Sequence, residues 1–460
     1  MEAVLLIDFG STYTKVTAVD IDQPALLGCA AAHTTVDAGV GEGLSTALAK
    51  LGNCTGPLNF SKRLACSSAA GGLRMVACGL VPELTAKAAS LASLGAGAKV
   101  VGLYSYQLTE DDIDEIVAKS PDILLLTGGT DGGNAECILY NAAMLADRTV
   151  MFPIIVAGNR NCGRQIMRLL EHHEAYLCDN VMPALGNLNI EPARKKIRDI
   201  FLDRIVRAKG LSKADNLHDG VVMPTPAAVL AGAELLSKGC DREPGIGDLI
   251  AVDVGGATTD VFSIAEGTPR GADVVYRGLP EPFAKRTVEG DIGMRYSVHG
   301  IVEASGIFRL AELAGLSEEK TREHVDLLAA HTDSLPQSTV QKSLDFALAA
   351  LAIETATLRH AGSLEEVYTA AGRAYIQTGK DLTGVNRIIM TGGALLYADR
   401  KAEFAAYALH NDRYPQSLRP KQAELYVDQH YILAAMGLLS GYEPYAALRI
   451  MKSGLKKCVT

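Results

Sequence analysis

Short apolar runs that end in a polar residue and a glycine alternate along this chain with longer segments in which apolar residues recur every three or four positions. The runs at 4–7 and 249–252 are rich in Ile, Val and Leu, which is typical of buried strands. Helical spacing predicts helices after Thr109 and at 192–208, 224–238 and 431–439. Strands and helices that alternate in this way predict an α/β fold.

One short sequence pattern occurs twice. An apolar run leads to Asp8, a glycine two positions later and then hydroxyl-bearing residues, and the same order of residue types begins 245 positions later at Asp253. A second pair consists of apolar runs that lead into Thr-Gly-Gly at Thr127 and at Thr391. Recurrence of this kind predicts that the chain contains a duplicated fold.

The duplicated turn has the composition of a phosphate-binding loop. Its glycines allow a tight turn and let backbone N–H groups approach an anion closely. The Ser and Thr hydroxyls that follow add hydrogen-bond donors. Because Asp8 and Asp253 would repel a bare phosphate, they are best explained by a hydrated Mg²⁺ between carboxylate and phosphate. The sequence therefore predicts a site for ATP or ADP with Mg²⁺.

With these turns, the chain resembles the actin-like ATPase superfamily, which includes actin, Hsp70-type chaperones and sugar kinases. The resemblance implies an α/β protein of two duplicated actin-like, ribonuclease H-like domains with a nucleotide cleft between them. It implies a first domain at 1–240, a second at 241–460 with a helical insertion at about 303–373, and an adenosine-contacting turn at 391–395. The stretch 239–247, which contains Asp, Pro and Gly, is the predicted boundary.

The same resemblance implies roles for individual residues. Lys15 stands seven residues after Asp8, where actin-like members place a phosphate-contacting lysine. Asp253 is the candidate to orient an attacking water, with Asp131 as a second candidate, and Asp8 and Asp253 would hold Mg²⁺ through water. The residues implied to contact the nucleotide are Gly10, Ser11, Thr12, Gly255, Gly256, Ala257, Thr258, Thr259, Gly392, Gly393 and Ala394. Ala257 replaces a glycine of the chaperone branch, which restricts the loop only where a positive φ is needed.

Three longer stretches, 65–75, 126–134 and 286–295, carry a closer resemblance. They are similar to the glutamate mutase accessory family called MutL or GlmL, which is unrelated in fold to the DNA mismatch-repair ATPase of the same name. The resemblance implies an ATP-driven factor that maintains, reactivates or assembles an adenosylcobalamin-dependent carbon-skeleton mutase of the glutamate mutase type. The mutase subunits would then be its partners.

Two other functions on the same fold stay open. A small-molecule kinase would need a catalytic aspartate beside a pocket for an acceptor group, and an actin-like scaffold would use the nucleotide to control assembly. Whether the chain forms a homodimer is also open. Because no Asp-x-His-x-x-Gly pattern occurs, we expect the partner, and not this chain, to hold any cobalamin.

Composition narrows the class of protein. The chain has 460 residues, of which 48% are hydrophobic, enough for two or more domains with their own cores. A net charge of −9 argues against a nucleic-acid-binding surface. Since no signal peptide or membrane span is evident, we expect a cytoplasmic protein that does not bind membranes. Nine cysteines without a Cys-x-x-Cys pair predict reduced core thiols.

Several chemically reactive residues have simpler structural interpretations. Glu289 and Asp291 are predicted to cap a helix, with metal or water contact as the alternative. Cys66 is predicted to be a buried or loop thiol, since no base can be assigned to make it a nucleophile. Asp428, which precedes the predicted helix at 431–439, is predicted to cap it.

Overall fold

The computed structural model has the α/β fold that the sequence predicts. It describes residues 2–10, 12–34, 40–68, 73–208, 221–370, 372–396 and 398–458. The chain divides into two units. Unit 1 comprises Met1–Asp20, Leu26–Ala228 and Gly278–Pro280, and unit 2 comprises Ile21–Ala25, Val229–Arg277 and Glu281–Thr460.

Unit 1 begins with the strand that carries Asp8. All seven residues of this strand are buried, as expected for an apolar run at the centre of a sheet. It pairs antiparallel with the second strand and parallel with the fourth. The first elements are β1 (Ala3–Phe9), β2 (Tyr13–Asp20), β3 (Ala25–His33), α1 (Val40–Thr55) and β4 (Phe60–Ser67).

A second sheet of unit 1 follows, and all its neighbouring strands are parallel. Its elements are β5 (Leu73–Gly79), α2 (Lys87–Gly95), β6 (Ala98–Ser105), α3 (Glu110–Lys119), β7 (Ile123–Leu126), α4 (Glu136–Ala146), β8 (Ile154–Val156), α5 (Gly163–Leu169) and β9 (Ala175–Leu177). The strand order is β6-β5-β7-β8-β9. Thr109 caps α3 in a reciprocal capping box with Asp112, which confirms the helix start predicted there.

The chain then returns to the first sheet through α6 (Glu191–Ala208), β10 (Val221–Pro224) and α7 (Thr225–Lys238). Both predicted helices of this region are confirmed to within one residue at each end. β10 lies beside β4, so the first sheet has the order β10-β4-β1-β2-β3. The all-parallel sheet is therefore inserted between two strands that are neighbours in the first sheet.

Unit 2 is built around a six-stranded sheet of order β16-β14-β13-β19-β20-β21. Its early strands are β11 (Gly239–Cys240), β12 (Glu243–Pro244), β13 (Leu249–Val254), β14 (Thr259–Ile264), β15 (Val274–Arg277) and β16 (Ala284–Glu289). Four helices follow, α8 (Val298–Ser305), α9 (Ile307–Ala314), α10 (Glu318–Ala330) and α11 (Thr339–His360). The antiparallel strands β17 (Ser363–Thr369) and β18 (Gly372–Thr378) come next, and β15 joins them in a small sheet.

The last part of unit 2 completes the large sheet. It contains β19 (Arg387–Thr391), α12 (Gly393–Leu396), α13 (Phe404–Ala408), β20 (Glu424–Asp428), α14 (Leu433–Ser440), α15 (Pro444–Gly454) and β21 (Leu455–Cys458). The helix predicted at 431–439 is α14, which starts two residues later than predicted. One further helix and a strand follow it. Within the described ranges, no helix is both long enough and apolar enough to cross a membrane.

The two large sheets share one strand order, β3-β2-β1-β4-β10 in unit 1 and β16-β14-β13-β19-β20 in unit 2. In each, the central strand pairs antiparallel with the strand that follows it and parallel with a later one. Asp8 and Asp253 lie on the two central strands, so the first repeated pair reflects a real duplication. Thr127 and Thr391 are not equivalent, because Thr127 follows a strand of the inserted sheet.

Candidate functional site

The first glycine turn connects β1 to β2. The N–H of Gly10 donates to the carbonyl of Tyr13 at 3.1 Å, which closes the turn. A Cβ on Gly10 would lie 2.5 Å from that carbonyl oxygen, so the turn requires glycine. Asp8 and Lys15 are opposite each other in the ladder, and Lys15 Nζ lies 3.3 Å from Asp8 Oδ2. Ser11 lies outside the described residues.

The Asp8 carboxylate is buried and receives two further donors. The Thr225 hydroxyl, from the first residue of α7, donates to Asp8 Oδ1 at 2.6 Å. The Cys66 thiol, opposite Asp8 in β4, donates to the same oxygen at 3.5 Å. Burial and the Asp8 carboxylate raise the pKa of Cys66 well above its usual range. Cys66 is therefore a buried thiol that donates to Asp8, which confirms the prediction of a buried thiol.

The second glycine turn, between β13 and β14, repeats this geometry. The Gly255 N–H donates to the Thr258 carbonyl at 2.9 Å, as the Gly10 N–H does to Tyr13. The partner of Asp253 in the ladder is Asp260, which occupies the position of Lys15. Arg286 pairs with Asp260 at 2.7 Å, so an acid neutralised by arginine replaces the lysine of the first turn.

The second turn is braced from one side by the segment that follows β16. The amides of Met294, Arg295 and Tyr296 donate to the carbonyls of Gly255 and Gly256. A Cβ on Gly293 would come within 2.3 Å of the Ala257 backbone, so this packing fixes the turn. Thr259 is fully buried, and its hydroxyl donates to Ile292 O at 3.0 Å. The Thr258 hydroxyl lies 3.3 Å from Asp260 Oδ2.

Neither Glu289 nor Asp291 caps a helix in this segment. Glu289 is the last residue of β16 and pairs with Arg359, while Asp291 lies in the turn that follows. The next helix, α8, begins after Ser297. The predicted helix-cap role is wrong because the strand continues to Glu289 where the sequence suggested a helix start.

Asp253 is held by groups from two distant segments. The Tyr431 hydroxyl lies 3.3 Å from Asp253 Oδ1 and 3.2 Å from Oδ2. Tyr431 has a φ of +52°, a backbone conformation that non-glycine residues seldom adopt and that clusters at functional sites. Gly392 approaches from the other segment, since a Cβ there would be 2.8 Å from Asp253 Oδ1 and 2.5 Å from Val254 O. The Thr-Gly-Gly turn thus packs directly on the aspartate.

Asp428 ties the Tyr431 segment to the Thr-Gly-Gly turn. It is 2% exposed and accepts hydrogen bonds from the N–H groups of Ile432 and Leu433, at 3.1 and 2.9 Å. The Thr391 hydroxyl lies 3.4 Å from its Oδ2. Burial raises the pKa of Asp428, against the hydrogen bonds it accepts. The N-cap residue of α14 is Ile432 and not Asp428, but the Asp428 carboxylate accepts from the first amides of that helix and so also positions the residue that contacts Asp253.

The hydroxyl donors are duplicated together with the turns. Thr225 follows β10 and Tyr431 follows β20, and these strands occupy equivalent places in the two sheets. Each donates to the aspartate of its own unit. Sequence analysis did not identify either residue. Their only local signal is that each comes shortly after an apolar strand and before a helix.

Asp131 has a different environment. It lies after β7 in the inserted sheet, where Asn180 Nδ2 donates to its Oδ1 at 2.9 Å and the Arg160 N–H donates to the same atom at 3.1 Å. The Arg160 guanidinium lies 3.6 Å from the other oxygen. These contacts hold the loop after β7 in place. Of the other candidates for nucleotide contact, Thr12 and Ala394 are half-buried and Gly393 is exposed.

Comparison with known proteins identifies the family. The family model described as MutL protein matches residues 4–455. The chain belongs to the MutL protein family. The protein called Protein MutL from Clostridium tetanomorphum is 47% identical over 461 residues, covering 99% of this chain and 100% of that relative. The similarity to this relative thus extends over nearly the whole of both chains.

Solved structures similar to this MutL chain include two metabolic proteins. Gluconate kinase from Lactobacillus acidophilus aligns with 100% of this chain and 93% of its own, at 11% identity and a TM-score of 0.37. Component A of (R)-2-hydroxyglutaryl-CoA dehydratase from Acidaminococcus fermentans aligns over 99% of both chains, at 11% identity and a TM-score of 0.31.

Proposed function

We propose that this MutL-family chain binds ATP and hydrolyses it to ADP and phosphate. We further propose that this cycle maintains, reactivates or assembles an adenosylcobalamin-dependent carbon-skeleton mutase of the glutamate mutase type. One observation carries the ATPase proposal: the chain builds the same arrangement twice. In each unit a glycine turn follows a buried strand, and a hydroxyl from a distant helix start or loop donates to the strand's aspartate.

The donor set at the turns suits Mg²⁺. Asp8 and Asp253 provide carboxylate oxygens, the ligands that this ion prefers, and the hydroxyls of Thr225 and Tyr431 fix their orientation. We propose that each of these carboxylates acts as a ligand of Mg²⁺ through water. When bound, Mg²⁺ would neutralise charge on the phosphate oxygens.

The remaining groups act on phosphate and water. The N–H groups of Gly10 and Gly255 already close their turns. The phosphate donors are therefore the amides that follow, those of Thr12, Gly256 and Ala257, together with the Lys15 ammonium. Asp253 accepts a hydrogen bond from the attacking water and so orients it.

Gly392 lies against Asp253, so a nucleoside held by the Thr-Gly-Gly turn would place its phosphates beside that carboxylate. The Thr-Gly-Gly turn would then do more than bind the nucleoside ring. Because Gly392 packs on Asp253, a shift of Gly392 would also move that aspartate. A partner that prefers the ATP-bound or the ADP-bound state would then experience hydrolysis as a change in affinity.

ATP turnover tests the proposal. We would measure phosphate release with Mg²⁺ by the purified chain, alone and with an inactivated cobalamin-dependent glutamate mutase. Asp8→Asn and Asp253→Asn should each lose turnover by roughly a hundredfold or more, because each removes a charged oxygen ligand. Asp333→Asn, at an exposed aspartate outside the site, is the matched control and should retain turnover.

The outcomes separate the candidate functions. Stimulated hydrolysis together with recovered mutase activity supports the maintenance role. Phosphate transfer to a small acceptor in place of water would favour a kinase over the maintenance role. Sedimentation that depends on ATP, without stimulation of hydrolysis by the mutase, would favour a scaffold. Unchanged turnover in both aspartate variants would show that the glycine turns are not the site of ATP hydrolysis.

A further inference from the structure

The stretch 286–295 joins the second glycine turn to α11, a helix of 22 residues. Near one end of the stretch, the Thr287 hydroxyl lies 2.7 Å from Nδ1 of His360, the last residue of α11. At the other end, Arg295 pairs with Asp345, which lies near the start of the same helix. Much of α11 is buried in the core of unit 2. The stretch is therefore tied at two points to a helix that the core holds in place.

The Arg295 side chain makes the connection at the second point. Its Nη1 and Nη2 donate to the two carboxylate oxygens of Asp345, at 3.2 and 2.7 Å. Its Nε donates to Ser334 O at 3.2 Å, and Nη1 also donates to Met294 O at 2.7 Å. The side chains of Arg295 and Asp345 are only 11% and 17% exposed. Because a bidentate pair fixes direction as well as distance, it holds the backbone at Arg295 in a defined position relative to α11.

The backbone of the same segment holds two carbonyl groups of the turn. The Met294 N–H donates to Gly255 O at 3.0 Å. The N–H groups of Arg295 and Tyr296 both donate to Gly256 O at 2.9 Å. Arg295 therefore contacts the turn through its main chain and α11 through its side chain.

The hydrogen bonds to these carbonyls determine where the next two N–H groups point. In a trans peptide unit, the carbonyl of one residue and the N–H of the next point in opposite directions. Because Gly255 O faces the bracing segment, the Gly256 N–H faces away from it, and Gly256 O directs the Ala257 N–H in the same way. Within the described residues neither N–H has a protein acceptor, and both residues are only half-buried. The two N–H groups are thus presented to a ligand on the open side of the turn.

We propose that Arg295 is a positioning residue for phosphate binding, and that its ion pair with Asp345 keeps the N–H groups of Gly256 and Ala257 directed at the phosphates. This inference rests on the proposed function, which assigns these two amides to phosphate. It adds that α11, from outside the turn, sets their direction. Arg295 acts through the turn and not on the nucleotide, because four of its five N–H groups already donate within the protein.

A second buried ion pair with the same helix provides a matched control. Arg309 of α9 pairs with Glu354 of α11, and their side chains are 18% and 4% exposed. In the part of the chain that the structure describes, these side chains contact each other and Asn411, and no residue of the glycine turn. A loss shared by both pairs would reflect the stability of unit 2. A loss confined to the Arg295 pair would reflect the turn.

Hydrogen exchange of the nucleotide-free full chain, measured by mass spectrometry, tests the brace without any ligand. We expect the amides of residues 294–296 to be protected in the wild type, since they donate to the turn. These amides should exchange roughly tenfold faster in Arg295→Met and in Asp345→Asn, and at the wild-type rate in Arg309→Met. Asp345→Asn keeps the size of the side chain, so it serves as the test if Arg295→Met does not fold. Wild-type exchange in both Arg295→Met and Asp345→Asn would overturn the proposal.

Equilibrium binding of AMPPNP, a non-hydrolysable ATP analogue, with Mg²⁺ tests the consequence for phosphate. We expect roughly tenfold weaker binding in Arg295→Met and in Asp345→Asn, because misdirected amides lose about one hydrogen bond to a charged group. Arg309→Met should bind as the wild type does. Arg295→Lys, which keeps a cation beside Asp345, should recover part of the lost affinity. The double variant Arg295→Met with Asp345→Asn should bind no more weakly than Arg295→Met alone, because both changes break one pair.

The outcomes separate the positioning role from the proposed function. The positioning role is overturned if the wild type binds AMPPNP and Arg295→Met binds it equally tightly. It is also overturned if Arg309→Met loses as much affinity, or if the losses of the two single variants add in the double variant. A wild type that binds no AMPPNP would contradict the proposed function as a whole, and the exchange of residues 294–296 would then decide whether the brace itself exists.

Discussion

Each aspartate of the glycine turns depends on a hydroxyl from a remote part of the chain. Thr225 is 217 positions from Asp8, and Tyr431 is 178 positions from Asp253. The aspartates and glycines could be predicted because adjacent residues define such a turn. The hydroxyl donors could not, because only strand pairing brings the segments after β10 and β20 to the aspartates.

The Tyr431 hydroxyl should matter for catalysis more than for binding. Tyr431→Phe keeps the ring and the backbone conformation but removes the donor to Asp253. Since a hydrogen bond to a charged group contributes about 1.5–3 kcal/mol, we expect the rate of ATP hydrolysis to fall roughly tenfold or more, with little change in nucleotide affinity.

Steady-state turnover measured over a range of ATP concentrations separates the rate from the affinity. The matched control is Tyr426→Phe, which removes a tyrosine hydroxyl bonded to Glu424 on β20. It should leave turnover unchanged. A Tyr431→Phe variant with the wild-type rate would show that the hydroxyl has no part in positioning Asp253.

Thr225 allows a cleaner comparison at the other aspartate. Thr225→Val has nearly the same shape but cannot donate to Asp8, whereas Thr225→Ser retains the hydroxyl. We expect turnover to fall several-fold or more in the valine variant and to stay near the wild-type value in the serine variant. A loss in the serine variant together with wild-type turnover in the valine variant would indicate that the methyl group and its packing matter, and not the 2.6 Å hydrogen bond.

At the scale of elements, the same short motif has two structural roles. Thr-Gly-Gly follows β19, the parallel neighbour of the Asp253 strand, and it also follows β7 in the inserted sheet. The position equivalent to Thr391 in unit 1 is Cys66, which faces Asp8 in the ladder as Thr391 faces Asp253. Local sequence could predict both strands and both turns. It could not predict which sheet each strand joins, because that depends on pairing over long distances.

The turn after β19 should tolerate no side chain at its first glycine. In Gly392→Ala the new Cβ would meet Val254 O and Asp253 Oδ1 at a φ of +102°. We expect loss of nucleotide binding and a free energy of unfolding lowered by roughly 1–3 kcal/mol from the backbone strain alone. Gly441→Ala, where the nearest atom is 3.9 Å away, is the control. Nucleotide titration and urea unfolding of both variants measure the difference, and normal nucleotide affinity in Gly392→Ala would contradict the packing described.

At the scale of the whole molecule, two units repeat one sheet and differ in what is added to it. Unit 1 carries the all-parallel sheet, and unit 2 carries four helices and a small three-stranded sheet. The repeat could be predicted because both copies of the glycine turn need the same types of residue, namely an aspartate, glycine and hydroxyl-bearing side chains after an apolar strand. The strand order of the inserted sheet was not, since its strands are continuous apolar runs that carry no signal for their neighbours.

One buried lysine makes the stability of this fold depend on pH. Lys380 is 1% exposed, and its Nζ lies 2.7 Å from the Phe283 carbonyl and 3.4 Å from the Ser263 hydroxyl. Burial, with the nearby Lys285, lowers the pKa of Lys380 from 10.5 to about 7. Between pH 7 and the unfolded value, the folded chain binds fewer protons than the unfolded chain. Below pH 7 the protonated lysine has its full destabilising effect on the fold. This effect decreases as the pH rises across that window, so the free energy of unfolding increases with pH there.

Lys380→Met should remove this dependence. We expect the free energy of unfolding of the wild type, relative to the variant, to increase by roughly 2 kcal/mol between pH 7 and pH 9. Urea unfolding at the two pH values measures the change. Lys342→Met, at an exposed lysine paired with Asp399, should show no such trend. A difference between wild type and Lys380→Met that stays constant with pH would contradict the lowered pKa.

The inserted sheet is joined to the rest of unit 1 at two places that meet at one carboxylate. Cys66 lies at the end of the strand that precedes the insertion, and Thr225 follows the strand that ends it; both donate to Asp8 Oδ1. We therefore expect a molecule that deforms the insertion to shift the donors of Asp8 through the covalent chain, without contacting the glycine turn. The position at which a segment is inserted into a fold can in this way determine which residue of the parent sheet responds to a ligand of that segment.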